Sequence, residues 1–112
     1  MLSKSLLSAT VTPLILSLLK EGPQYGFQLL FRARKLYHGQ VPWSNSKLYP
    51  ILHRMEHDNW IESYWQPSDS GPDRKYYRIT QAGLERLVVT QKEWQFVNSM
   101  WSELWGPDVA AG

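Results

Sequence analysis

The stretch "NSKLYPILHRMEHDNWI", residues 45–61, decides the fold. Leu48, Ile51, Leu52 and Met55 fall at i, i+3, i+4 and i+7, the spacing of a helix with one buried face. Pro50 interrupts that pattern with a residue that removes a backbone hydrogen bond and crowds the preceding turn. It stands near the helix start, so one early bond is lost and the Ser46 carbonyl is freed. The expectation is a slight bend, not a break. Ser44 is placed as the N-cap, and Trp43 and Leu48 occupy the two staple positions that fix the angle of the incoming chain. Asn59 marks the end, because asparagine tolerates the left-handed conformation found there.

Upstream, Val11, Leu14, Ile15, Leu18 and Leu19 form a helical stripe that Gly22-Pro23 stops. A second helix is expected from about Gln24 to Tyr37, with Phe27, Leu30, Ala33, Arg34 and Tyr37 at helical spacing and Gly39 at its end. A Val41-Pro42 turn then leads into the quoted helix. Downstream the period changes. Trp60–Trp65 and Lys75–Ile79 are rich in strand formers, and Pro67–Asp73 between them is a concentrated turn signal. They read as a β-hairpin with a long polar tip. Thr80 caps a last helix, stapled by Ile79 and Leu84, that runs to about Trp105, where Gly106-Pro107 stops it. Three short helices, a hairpin and a long helix make a mainly α fold with a β-hairpin (α+β), a winged helix-turn-helix. The helix before the hairpin would then read the DNA major groove.

The 112 residues fit one small domain. Six Trp, six Tyr and three Phe exceed what such a core absorbs, which points some of them to an interface or a pocket. Cysteine is absent, which excludes disulfides and thiolate metal sites. The N-terminus has one lysine, an apolar run broken by Ser, Thr and Pro, and no cleavage signature, so a cytoplasmic protein with no membrane span is expected. The net charge is only +2, but its distribution is uneven. Between Gly22 and Met55 lie Arg32, Arg34, Lys35, Lys47 and Arg54 with no acid, whereas residues 79–112 hold more acids than bases. A polyanion on one side of the molecule would explain that division.

"LILSLLKEGPQYGFQL", "SKLYPILHRMEHDNWIESYW" and "RKYYRITQAG" occur in the order and at the spacing of the PadR-like family of bacterial transcriptional regulators, which the chain resembles over residues 12–105. The resemblance points to the compact branch with a short C-terminal helix. It implies a DNA-binding winged helix-turn-helix over residues 1–79, a dimerisation helix over 80–105 and a flexible tail over 106–112. It also accounts for Pro50, since members often place proline there. Two positions depart from the pattern. Asn59 stands where the family usually has glycine, and Pro72-Asp73 where its wing is basic or glycine-rich.

On this reading Ser44, Asn45, Lys47, Tyr49, His53 and Arg54 form the outward face of the recognition helix. Short polar groups at the N-terminal end suit base edges, and Lys and Arg neutralise phosphates. Ser70, Arg74 and Lys75 belong to the wing, while Tyr76 and Tyr77 alternate faces, so that one is core. The partner would be double-stranded DNA with a palindromic operator. His53, Glu56 and His57 also match H-x-x-E-H of zinc hydrolases. That pattern specifies few positions, a third ligand is not evident, and no cofactor or metal is expected. On the last helix Leu87, Trp94 and Trp101 recur every seven residues, as do Val97 and Leu104, a seam for a partner helix and hence a homodimer. Trp94 also falls where a multidrug-binding PadR-like regulator has a tryptophan that stacks flat aromatic ligands. The resemblance therefore implies an effector site of Gln91, Trp94, Asn98 and Trp101. A repressor released by such a ligand is the favoured function. A winged-helix protein–protein interaction module without DNA is the alternative, because fold does not fix function.

Overall fold

The computed structural model describes residues 3–39 and 44–106, with four α-helices and one three-stranded sheet. Helix α1 spans Lys4–Lys20, strand β1 Gln24–Tyr25 and helix α2 Gly26–Lys35, followed by a 3-10 turn over Leu36–Gly39. Helix α3 spans Asn45–His57, strand β2 Ile61–Ser68, strand β3 Gly71–Ile79 and helix α4 Gln81–Trp105. This is the expected winged helix-turn-helix order. The Val41-Pro42 turn, the Trp43 half of the staple and the tail beyond Gly106 lie outside the described residues.

Helix α1 starts well before the Val11–Leu19 stripe and runs through Pro13. Ser3 caps it by accepting from the Leu6 N–H at 3.3 Å. The Thr10 and Ser17 hydroxyls donate to the carbonyls of Leu6 at 2.9 Å and Pro13 at 2.6 Å. Such local back-bonding supplies side-chain donors around the proline that interrupts the backbone ladder.

The second helix begins two residues later than the sequence suggested. Gln24-Tyr25 forms a strand instead, paired antiparallel with Tyr76-Tyr77, so the sheet order is β1-β3-β2. Gln24 accounts for the difference, because its buried amide finds partners in this extended position. It donates to the Leu18 carbonyl at 2.6 Å and accepts from Arg32 Nη1 at 3.1 Å. The buried face of α2 is Gly26, Leu29, Leu30 and Ala33, while Phe27 is exposed.

The wing also departs from expectation, because its strands continue through the turn-rich segment. Ser68 pairs with Gly71, leaving only Asp69-Ser70 as the loop. Pro67 sits at a register shift between Gln66 and Ser68 on β2, an edge strand, where a missing N–H breaks no ladder bond. Pro72 lies beyond the short β1 pairing and is tolerated for the same reason.

The core gathers Ile15, Leu16 and Leu19 of α1, Leu29 of α2, Leu48, Leu52 and Met55 of α3, Ile61 and Tyr77 of the sheet, and Leu87 of α4. Tyr77 is thus the core member of the tyrosine pair, and Tyr76 stays on the outer face between Tyr25 and Tyr64. The first turns of α4 belong to the winged-helix body. Thr80 caps them, accepting from Gly83 N–H at 3.0 Å, and Leu87 is only 1% exposed. Among the described residues of α4 none beyond Thr90 is buried.

Candidate nucleic-acid interface

At about 100° per residue, Leu48, Leu52 and Met55 place one side of α3 in the core. Ser46, Pro50, His53 and His57 centre the opposite side, and all four are exposed. Lys47 and Arg54 lie along one flank, Asn45, Tyr49 and Glu56 along the other. Pro50 leaves the helix continuous from Asn45 to His57. Ser44 holds the N-cap position through its backbone, its carbonyl accepting from Lys47 N–H at 3.1 Å and Leu48 N–H at 2.9 Å. Its hydroxyl does not cap the helix and lies 3.1 Å from the Ser46 hydroxyl. At the other end Asn59 adopts φ 63°, and the N–H groups of Asn59 and Trp60 donate to the carbonyls of Glu56 and Met55 at 3.0 Å. That pair of bonds is a Schellman motif with asparagine in the glycine position.

The Tyr49 flank faces a cleft of about 580 Å³ between α2, α3 and the wing. Tyr49 packs over Gly26, where an added Cβ would come within 2.8 Å of the phenol oxygen. Phe27, Trp65, Arg74 and Lys75 also line it, with Tyr25 and Tyr77. Trp65 opposes Lys75 in the ladder and is 67% exposed. Arg74 holds its guanidinium 4.6 Å from the Tyr25 ring centroid. Lys75 is tied back, with Nζ 3.7 Å from Glu56 Oε1, while Glu56 Oε2 accepts from the Ser63 hydroxyl at 2.8 Å. Glu56 therefore joins α3 to the wing. Burial, with Glu56 and Tyr49 adding smaller contributions, pushes the Tyr77 phenol up to about 12. Ser70 is exposed at the wing tip.

Of the residues expected to meet DNA, the structure brings Asn45, Lys47, Tyr49, His53 and Arg54 onto the exposed surface of α3, with Arg74 and Lys75 across the cleft. Ser46 and Pro50 share that exposed face and Phe27 and Trp65 line the cleft, although the sequence reading named none of the four as a site residue. The first two follow from the helical wheel alone, and Trp65 from its alternation with Ser63 and Ile61; Phe27 needed the start of α2. His57 Nδ1 lies 3.6 Å from Asp58 Oδ1, and no cluster of three metal-ligating side chains occurs among the described residues.

A second groove, about 520 Å³, runs between α1 and α4 and is lined by Trp94, Val97 and Trp101 together with Leu6, Ala9 and Pro13. Trp101 stacks on Trp105 with centroids 4.1 Å apart. Gln91 and Asn98 are exposed and do not line this groove. Leu87 is filled into the chain's own core, which leaves it almost no surface for a partner helix. Leu104, by contrast, is 71% exposed.

The model of the transcriptional regulator PadR-like family matches residues 15–88, a span that holds α2, α3, the whole sheet and the start of α4. The chain belongs to that family. Its members are transcription regulators, not enzymes, and the H-x-x-E-H match carries no catalytic reading here. A transcriptional regulator from Clostridium thermocellum is 27% identical with a TM-score of 0.83, covering 92% of this chain and 97% of that one. A PadR-like transcriptional regulator from Bacillus cereus is 32% identical with a TM-score of 0.80, covering 91% and 97%. An uncharacterized protein from Lysinibacillus sphaericus is 28% identical over 100 residues, 89% of this chain and 92% of that protein. As a PadR-like regulator, this chain is a winged-helix protein of a DNA-binding family. No helix among its described residues is long and apolar enough to cross a membrane.

Proposed function

We propose that the protein is a homodimeric repressor that acts in the cytoplasm, reads a palindromic operator with α3 and is released by a flat aromatic ligand. The carrying observation is that Lys47 and Arg54 project from an acid-poor exposed face of α3 with no ion-pair partner among the described residues. Cations beside short polar groups on one exposed helix face suit phosphates flanking base edges. Asn45 and Tyr49 are the candidates for base contact, His53 lies between them and Arg54, and Ser70, Arg74 and Lys75 approach from the wing.

Dimerisation is supported by α4. Its second half has no buried residue, leaves Trp94, Val97 and Trp101 only half-buried, and exposes Leu104 on the same side. A helix left so uncovered is marginal in water and gains from a partner. Trp94, Val97, Trp101 and Leu104 would lie in that seam. Trp94 and Trp101 on an apolar groove support an effector that stacks between aromatic faces; Gln91 and Asn98, outside that lining, would have to be reached by the ligand's exposed edge. Such a ligand lowers operator affinity only as far as it prefers one spacing of the two recognition helices.

A gel shift on the promoter region of its own gene, at rising salt, tests the reading. The expected result is binding that weakens steeply with salt and gives one complex containing two chains. No binding to any DNA at low salt would favour the protein–protein interaction module instead.

A further inference from the structure

A third concavity, about 410 Å³, lies between α1 and α3, apart from both the wing cleft and the tryptophan groove. Its floor is the open side of the core: Val11 of the buried cluster, with Leu7 and Ile51 packed against that cluster. Lys4, Lys47 and Arg54 line it, and no Asp or Glu does. None of these three cations has an ion-pair partner among the described residues. Three unpaired cations around an apolar floor are complementary to one kind of small molecule. Its body must be apolar, because only burial of the floor gives the cleft a reason to be filled. Its head must be an anion, because charge-assisted contacts to Lys and Arg are the strong ones available.

We propose that the α1–α3 cleft binds an amphiphilic monoanion, a carboxylate with an apolar body. The head sits among Lys4, Lys47 and Arg54, and the tail lies on Leu7, Val11 and Ile51. A phosphate of DNA would satisfy the cations but not the floor, which is why the occupant is an amphiphile and not the duplex itself. The site stands on this geometry alone. Its consequence rests on the function proposed above, since Lys47 and Arg54 are also the cations assigned to operator phosphates. A bound carboxylate neutralises charge there and lowers DNA affinity by direct competition, with no change in the dimer seam.

The test uses decanoate below its micellar range, with decyltrimethylammonium and decanol as cationic and neutral controls, titrated into the full chain in a calorimeter without DNA. Saturable binding of decanoate, with much weaker binding of both controls, is the expected result. Ser8→Trp fills the cleft from α1 and should abolish it, and Lys4→Glu, an exposed change that spares the core, should weaken it about tenfold. Equal binding of the three amphiphiles, or decanoate binding that survives Ser8→Trp and Lys4→Glu, would overturn the site. Decanoate binding that disappears only in Trp94→Ala would place the anion in the α1–α4 groove and overturn it equally. At constant ionic strength, saturating decanoate should also reduce affinity for any DNA the protein binds by about tenfold. If decanoate binds as described and DNA affinity stays unchanged, the site holds and the competition is refuted. If DNA is not bound at all, the calorimetry still decides the site and the proposed function fails separately.

Discussion

Single residues carry much of the fold's specificity. At Gly83 an added Cβ would run into the Trp60 carbonyl oxygen and come 2.7 Å from Ile79 Cγ1. That carbonyl cannot easily move, because it accepts the Thr80 N–H at 3.0 Å. Gly83→Ala should therefore push α4 off the sheet and destabilise the protein by about 1–3 kcal/mol in urea unfolding. Gly71→Ala meets nothing within 4 Å and should stay within about 0.5 kcal/mol. Tyr77 gives a pH test. Its phenol titrates near 12 when folded against the ordinary 10.0, so its contribution is complete below pH 10 and is lost as pH climbs to 12. The loss should be roughly 2–3 kcal/mol in alkaline unfolding, and Tyr77→Phe should remove that pH dependence. Asn59 was legible in the sequence, because its left-handed propensity is local. The need for Gly83 was not, since it depends on a carbonyl of another element.

At the scale of elements, α3 was readable because its four-position apolar stripe and its asparagine stop agree. Strand β1 was not, as two residues hold no periodicity and Gln24 earns its place only through contacts with α1 and α2. The wing's length was misjudged because proline, serine and glycine ordinarily mark a loop, and only an edge position lets prolines remain in strands. In α4 the heptad of Leu87, Trp94 and Trp101 suggested one continuous seam. The structure divides it, with Leu87 in the core and an uncovered helix beyond Thr90. A chain ending at Thr90 should keep the winged-helix body and sediment as a monomer at micromolar concentration, where the full chain sediments as a dimer. A monomeric full-length chain would remove α4 as the dimerisation element.

At the scale of the molecule, extended to 52 × 29 × 21 Å, three of the concavities among the described residues differ in their chemistry. The wing cleft joins aromatics to cations, the α1–α4 groove is tryptophan-lined, and the α1–α3 cleft sets cations around an apolar floor. The candidate DNA face was largely legible, since exposure on a helix follows from its wheel. The partition of its flanks was not, because Tyr49 meets Gly26 and Glu56 meets Lys75 only after folding. In a symmetric dimer the two copies of α3 would enter successive major grooves about 34–36 Å apart, with Lys47 on a phosphate at each half-site. The slope of binding affinity against salt concentration, on a logarithmic scale, is the most direct measure of that arrangement, compared between the natural chain and Lys47→Ala on one DNA. Each phosphate contact removed flattens the slope by about 0.9, so Lys47→Ala should flatten it by about 1.8 per dimer and weaken binding to every sequence alike. An identical slope and affinity in the two proteins would contradict the assignment of α3 as the helix that meets DNA.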